Sequence, residues 1–511
     1  MIEVAEQVVR RIATEVVRRA PEGWTEAVLN CVAGIGGSLR SGGYTVAGER
    51  WQPFLRYDFY PELWRLAEAI RASRGWEHAG MEARWRPTGE FDLVAFPDAV
   101  TGAHGYGAGF QVVLDHAYRL PQPGFGQEPG TAGPAGDPDL AVARFHAYMK
   151  RRASILGQPE QLPPPASTAA LDEAEHRLGT PLPADLRALY LLADGDGIGH
   201  ENLHLFGTNL WLSLEDLVES QAEWGEPLWF GWDVEWDAVV FDADPADTVR
   251  RCGGHPGWLP FASGRDGNFL AVDAAPAGKG RPGQVIQMGR DFDHGPEYVA
   301  DSVTSLLGHY LDLLEEGAYE VRDRTIRLRE PERGFARAMA VGEIPTEIPS
   351  TLQDITISTL SPTVDLTPLA AAPNLRRLHL HNSATTNLAP TRGLPVEALL
   401  ITLTALNLGT TTVTDLAPLR SVPNLRCLDL SRANAQDLAV LADLPGLRHL
   451  VLTAQQWSVL LHEGNTPPNL AAARLAGADV SFDDALAWSA RLGRSTGDAF
   501  RMSDTHGLNG S

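Results

Sequence analysis

Apolar residues recur along this chain at several periods, and each period predicts a different kind of element. Near the start, Ile2, Ala5, Val8, Val9, Ile12, Ala13, Val16 and Val17 fall on one stripe of a 3.6-residue repeat, which predicts an amphipathic helix packed on its own domain. Trp24 then opens a strand-rich stretch, and Tyr60-Pro61 opens a second helix through Leu63, Trp64, Leu66 and Ile70. Met81, Ala83 and Trp85 alternate before a hairpin at Gly89-Glu90-Phe91-Asp92-Leu93. In the middle of the chain, Leu171, Ala174 and Leu178 predict one helix. After the Leu182-Pro183 turn, Leu186, Leu189, Tyr190 and Leu192 predict another. Asp194-Gly195-Asp196-Gly197-Ile198-Gly199 ends it, glycine being the usual left-handed stop. Ser213, with Asp216 at the capping-box position, starts a further helix. Phe230, Trp232, Val234, Trp236, Ala238 and Val240 then alternate with Asp233, Glu235 and Asp237, which predicts a half-buried strand. Two more strand regions, Gly257 to Asp273 and Gly283 to His294, lead to a closing helix within Val299 to Val321.

After about Glu330 the texture changes to a ladder of leucines. Leu366-x-x-Leu369, Pro373, Leu375-x-x-Leu378-x-Leu380 returns as Leu416-x-x-Leu419, Pro423, Leu425-x-x-Leu428-x-Leu430. It returns again as Leu438-x-x-Leu441, Pro445, Leu447-x-x-Leu450-x-Leu452. A longer unit from Leu388 to Asp415 carries Leu403-x-x-Leu406-x-Leu408, and Leu352-x-x-Ile355-x-Ile357 reads as an earlier, degenerate turn. This spacing resembles leucine-rich repeats, in which stacked units share a core that none could bury alone. The resemblance covers about Ile344 to Trp457. It departs from the consensus where an inward Asn is expected, since Ser383, Thr411, Ala433 and Gln455 stand there, so the backbone groups of those turns must find other partners. By the same resemblance Arg377, His379, His381, Cys427, Asp429, Ser431 and His449 lie on the open strand face and make a mixed polar surface suited to binding protein.

Two stretches rich in Pro and Gly break the pattern, Pro121 to Asp139 and the run ending at Ser167, with a short helix through Ala143, Phe145, Met149 and Ile155 between them. The 511 residues therefore divide into an α+β domain over 1–120, a Pro/Gly-rich linker with a short helix over 121–165, and an α+β domain over 166–325. Leucine-rich repeats with a cap follow over 326–480, and then a tail over 481–511. The expected fold class is multi-domain α+β, two α+β domains followed by a short leucine-rich-repeat solenoid.

Charge and cysteine usage narrow the function. A net charge of −23 disfavours nucleic acid, because a phosphate backbone is bound by clustered cations. Cys31, Cys252 and Cys427 stand far apart in sequence, which fits a reducing, cytoplasmic location. No apolar run approaches the ~20 residues a membrane-spanning helix needs, and no export signal is read at the N-terminus. No cofactor motif is present: there is no phosphate-binding loop, dinucleotide fingerprint or nucleophile elbow.

One run does suggest chemistry. His200-Glu201-Asn202-Leu203-His204 has the H-E-x-x-H spacing of zinc hydrolases, which requires both histidines on one continuous helix. The alternating glycines just before it disfavour that helix, and Leu203, Leu205 and Gly207 suit a short strand. No metal is expected.

Several middle-domain motifs together resemble the SUKH superfamily. They are Leu182-Pro183, Asp194-Gly195, Trp258-Leu259-Pro260-Phe261-Ala262, Asp266-Gly267-Asn268-Phe269-Leu270, Val272-Asp273, Gly283-Gln284-Val285-Ile286 and Ser302-x-x-Ser305-Leu306-Leu307. That superfamily includes the yeast regulator of cell-wall synthesis and many bacterial immunity proteins. The resemblance implies an α+β protein-binding module without a catalytic set, with the H-E-x-x-H run in a variable connection. At the N-terminus, Ala20-Pro21-Glu22-Gly23-Trp24 after an opening helix, and Trp85 before Gly89-Glu90-Phe91, are similar to the YezG-like immunity family.

Together the resemblances imply a non-enzymatic, immunity-type protein that neutralises a bacterial toxin, often a basic nuclease, by occluding its surface. No lysine or arginine occurs between Arg187 and Arg250, so the expected docking residues are Asp194, Asp196, Trp224, Trp229, Asp233, Glu235 and Asp237. Acidic charge there would steer a cationic partner, and aromatic anchors would hold it. The alternative is a regulatory scaffold that bridges cellular proteins through the SUKH-like domain and the repeats; a zinc hydrolase ranks last.

Overall fold

The stripe of apolar residues at the N-terminus forms the helix Ile2–Arg19, and Val9, Ile12, Ala13 and Val16 are its buried members. The structure, a computed structural model, describes every residue except 1, 34–39, 47–49, 55–59, 77–78, 98, 101–108, 197–202, 228, 230–231, 233–236, 293, 323–324, 331–337, 359–363, 382–384, 386, 403–412, 432, 436, 478–479, 481, 494–498 and 505–511. It is a multi-domain chain of mixed helices and strands with several sheets. The residues group into two compact units: 1–119 with 229–237 and 338–511, and 120–228 with 238–337.

In the first unit, an antiparallel sheet of six strands has the order Phe500–Asp504, Phe91–Phe96, Ala79–Trp85, Trp24–Ala33, Arg40–Val46, Arg50–Pro53. The helices Ile2–Arg19 and Tyr60–Arg74 supply Val9, Val16, Leu63 and Ile70 to a core shared with Leu29, Met81, Trp85 and Leu93 from the strands. The expected tail, 481–511, contains the helix Phe482–Arg491 and the strand Phe500–Asp504, which pairs with Phe91–Phe96. Those residues complete a sheet begun near the N-terminus.

Each leucine unit contributes one strand to a second, nine-stranded sheet. Ala338–Val341, Asp354–Ser358, Arg377–His381, Ala398–Thr402, Cys427–Asp429, His449–Thr453 and Ala472–Ala476 run parallel. Short 3-10 turns at Thr367–Ala371, Ala389–Thr391, Ala417–Ser421 and Leu438–Asp443 connect successive strands. Ile355, Leu378, Leu399, Leu428 and Leu450 face one continuous core. In the unit from Leu388 to Asp415 the strand is Ala398–Thr402, so its pattern is Val396-x-x-Leu399-x-Ile401. The expected pattern Leu403-x-x-Leu406-x-Leu408 falls in 403–412, outside the described residues; the described strand carries the same spacing seven residues earlier.

The sheet continues past Ala472–Ala476 with an antiparallel strand from the N-terminal region, Gly109–Val113. That approach is close: a Cβ on Gly109, whose φ is 152°, would stand 2.3 Å from the Leu475 carbonyl oxygen. In place of the missing consensus Asn, Gln456 donates from Nε2 to the carbonyls of Leu430 and Ala433, 3.0 Å each. It also closes a capping box with Thr453 at the start of the helix Ala454–Glu463.

The second unit is built on an antiparallel sheet of order Glu297–Ala300, Gln284–Gly289, Asn268–Asp273, Trp258–Ser263, Leu210–Trp211. Its helices are Pro138–Leu156, Thr168–Leu178, Ala184–Tyr190, Leu214–Trp224 and Val303–Glu316. Four of them start on a side chain that accepts from a backbone N–H three residues on: Asp137, Ser167, Ser213 and Ser302. Such caps satisfy donors the helix itself leaves free. Leu186, Phe206, Trp211, Phe261, Leu307 and Tyr310 meet in the core.

Three expectations fail here. Residues 121–165 are not a free linker. Arg250 donates to the carbonyls of Gly124 and Gln127, Gln122 accepts from Gly253 N, and Thr304 Oγ1 bonds the Asp137 carbonyl. The helix that follows buries Arg152, which pairs with Glu160 at 2.6 Å and donates to the Leu203 carbonyl. The strand predicted from Phe230 to Val240 is absent among the described residues: Trp232 has helical backbone, and Ala238, Val239, Val240 and Phe241 are buried in succession outside any strand. Burial on both sides removes the alternation that a half-buried strand needs. The short strand expected at Leu203 to Gly207 is a turn instead, with an isolated bridge between Phe206 and Asn209 and positive φ at His204 and Gly207.

Candidate protein-binding surfaces

The H-E-x-x-H run does not form the helix its chemistry requires. His200, Glu201 and Asn202 lie outside the described residues. Leu203 and His204 are non-helical, with φ of 51° at His204, and His204 Nδ1 bonds the Thr208 carbonyl at 2.7 Å. Among the described residues no cluster of three or more His, Cys, Asp or Glu could hold a metal ion.

The expected acidic docking surface is divided between the two units. In the second unit, Asp194 Oδ1 accepts from Leu214 N at 2.9 Å and, beside Ser213, satisfies the start of the helix Leu214–Trp224. Asp196 is only 2 % exposed. Burial raises its carboxyl to about 6, its Oδ2 accepts from Leu205 N, and its Oδ1 has no hydrogen-bond partner. These two acids hold the loop to the helix and cannot both present charge to a partner. Trp224 is half-buried, with its ring 5.5 Å from Phe269 beside Gly267 and the exposed Arg290. Asp233 and Glu235 fall outside the described residues.

Trp229 and Asp237 belong to the first unit, and with Trp232 they meet the leucine-unit sheet. Trp232 stacks on His449, with ring centroids 5.3 Å apart and planes 13° apart, and on Tyr118 at 4.9 Å. Trp229 meets Tyr118 and Trp232 edge-on, at 6.0 and 5.2 Å. Asp237 stands 3.8 Å from Arg377, which also grips Asp354 through two nitrogens.

The open strand face is therefore not the solvated surface expected. Arg377, His379, His381 and Ser431 are half-buried, while Cys427, Asp429 and His449 are buried. His449 Nε2 bonds Gln111 Oε1 at 3.0 Å, and Nδ1 meets the Cys427 thiol at 3.5 Å. Burial lowers the imidazole to about 3 and keeps it neutral. Burial also lowers His379 and raises the Cys427 thiol well above its ordinary range. At the edge of this face a buried charge ladder runs through Arg376, Glu397 and Arg426, and Arg426 also reaches the Tyr118 hydroxyl. Neither Gln111 nor Tyr118 was marked by the sequence, because their partners lie hundreds of residues away.

The N-terminal sheet carries a third feature that the sequence did not mark. A cleft of about 550 Å³ is lined by Glu26, Glu82, Arg84, Arg86, Asp92 and Arg501. Its charges pair with one another, Arg84 with Glu82 and Glu26, and Arg86 with Asp92.

In the second unit the two leading helices, the Asp194-Gly195 stop, the antiparallel strands and the closing helix follow in the order that the SUKH-like motifs imply. Residues 165–309 match the SMI1 / KNR4 family (SUKH-1). This SUKH-1 region is similar to fungal proteins described as regulators. A KNR4/SMI1 homolog of Yarrowia lipolytica is 30% identical over 217 residues, 33% of this chain and 30% of that one. The cell wall biosynthesis/cell cycle regulator smi1 of Schizosaccharomyces pombe is 35% identical over 136 residues, 25% of this chain and 27% of that one. A glucan synthesis regulatory protein of Neurospora crassa is 28% identical over 192 residues, 31% of this chain and 36% of that one. The chain spans about a third of the length of these curated relatives. Among solved structures, a Listeria monocytogenes internalin aligns over 23% of this chain and 41% of that one at 19% identity, with a TM-score of 0.18. The regulator relatives overturn the toxin-neutralising expectation, and with it the expected basic toxin partner. The resemblance that suggested immunity spans both branches of the SUKH superfamily, and these matches fall on the regulatory one. No helix among the described residues is long and apolar enough to cross a membrane.

Proposed function

We propose that this chain is a non-enzymatic regulatory scaffold of a reducing, cytoplasmic compartment, binding one protein through its SUKH-1 region and another through the leucine units, which we read as leucine-rich repeats. The observation that carries this reading is the match of residues 165–309 to a family whose relatives are described as regulators of cell-wall and glucan synthesis. Three buried cysteines that form no disulfide support the compartment. Residues 1–119 enter the proposal through the strand that they lend to the repeat sheet, not through the YezG-like resemblance.

On the SUKH-1 region the anchor is Trp224. It is half-buried near the exposed Arg290, and Trp and Arg are among the residue types enriched in interface hot spots. The test is affinity capture with the full chain and with Trp224→Ala, followed by titration of whatever protein the wild type retains. Loss of about 2 kcal/mol or more of affinity, roughly 30-fold, is expected for a hot spot. Equal affinity of the two forms would remove Trp224 from the interface.

A further inference from the structure

A single register row crosses the open face of the repeat sheet: Asp354, Arg377, Ala398, Cys427, His449, Ala472 and Val113, one from each adjacent strand. The middle of this row is small, and Ala398, Cys427 and Ala472 are buried on a face that a free solenoid would expose to water. Leu400 and Val451, one register row along on the same face, are buried as well. The row is thus a trough, with a guanidinium near one end and an imidazole near the other. Residues that belong to no repeat unit fill it. Asp237 lies at the Arg377 end, while Trp232 is sandwiched between His449 and Tyr118 and packs on Ala471 and Ala472. In sequence these residues interrupt the second unit, which leaves off at Leu228 and resumes at Ala238.

We propose that this trough is a receptor for a short aromatic–acidic motif, Trp-x-x-Trp followed five residues later by Asp, whose Trp229, Trp232 and Asp237 fill it in cis. A protein partner of the repeat face presents the same chemistry in trans and must displace the resident segment. This rests on the reading of the repeats as a protein-binding face and names what that face selects. Flat stacking on both sides of an indole favours Trp over an aliphatic anchor, and Arg377, whose fork already holds Asp354, turns its other terminal nitrogen toward a carboxylate at ion-pair distance. A tethered competitor acts at an effective concentration on the order of millimolar, so a free ligand meets a strongly reduced apparent affinity.

The probe is a synthetic peptide of residues 227–239 carrying an N-terminal fluorophore, titrated by anisotropy against the full chain. The chain with Trp229→Ala and Trp232→Ala, its trough vacated, is expected to bind the peptide at least ~10-fold more tightly than wild type. Adding Arg377→Glu to that variant, or replacing both tryptophans of the peptide, abolishes binding. If the double variant does not fold, Asp237→Ala serves instead: it weakens only the resident segment and is expected to raise peptide affinity by ~3-fold or more. The proposal is wrong if a folded variant binds no peptide, or binds the tryptophan-free peptide equally well. That outcome, with Trp224-dependent capture intact, leaves the regulatory reading standing; loss of the capture alone removes that reading and spares the trough.

Discussion

His449 shows how far one side chain can depart from its sequence-level description. Between the strand leucines it reads as one polar position on a solvated face, yet it is fully buried, bonded to Gln111 and Cys427, and stacked on Trp232. An imidazole held neutral contributes its full share of stability above its ordinary 6.5 and loses it as pH falls toward about 3, because the unfolded chain takes up the proton first. Asp196 and Asp273 carry the opposite sign. Burial raises them to about 6 and about 7, so their contributions are full below 3.8 and fade as pH rises through those values. Acidification from pH 7 to 5 should therefore withdraw the His449 contribution from the first unit and add those of Asp196 and Asp273 to the second. Guanidinium unfolding at the two pH values, followed by circular dichroism, checks this. The loss attributable to the first unit should shrink in His449→Phe, whereas an identical slope in both forms would show that the ring is not held neutral. None of this was legible in the sequence, since Gln111, Cys427 and Trp232 approach His449 only after the sheet has formed.

At the scale of elements, legibility followed period. The helix Ile2–Arg19, the hairpin at Gly89 and the Ser213 cap are local patterns whose partners lie within a few residues, and each stands where the sequence placed it. The strand predicted at 230–240 is not found among the described residues of that stretch, because Ala238, Val239, Val240 and Phe241 are all buried and an alternating pattern records burial on one side only. The leucine ladder was legible as a ladder, and in the unit from Leu388 to Asp415 the described strand, Ala398–Thr402, takes a frame seven residues before the expected one. That frame has a measurable consequence. Leu399 faces the continuous core, so Leu399→Ala should cost about 2–5 kcal/mol in unfolding free energy. A cost below about 1 kcal/mol would place the strand elsewhere. Where the consensus Asn is missing, one turn does find another partner, because Gln456 reaches back from the following helix to the carbonyls of Leu430 and Ala433.

For the whole molecule, connectivity decides more than composition. The expected N-terminal domain and repeat region form a single unit: Gly109–Val113 extends the repeat sheet, and Phe500–Asp504 extends the N-terminal sheet. A fragment of residues 338–480 lacks Gly109–Val113 and exposes the edge of Ala472–Ala476, an open template for strand pairing. It is expected to elute as oligomers in size-exclusion chromatography and to become monomeric on co-expression with residues 1–119. A monodisperse fragment on its own would show that the borrowed strand is dispensable.

The same borrowed strands set a schedule. Chains emerge from the ribosome N-terminus first, at roughly 5–20 residues per second. Gly109–Val113 and the edge at Phe91–Phe96 are thus made tens of seconds before the segments that cover them, and the whole of the second unit is synthesised in the interval. During that time two strand edges are unprotected in a nascent chain, where any neighbouring nascent chain could pair with them. The consequence is kinetic: both edges stay open to such pairing until Ala472–Ala476 and Phe500–Asp504 arrive.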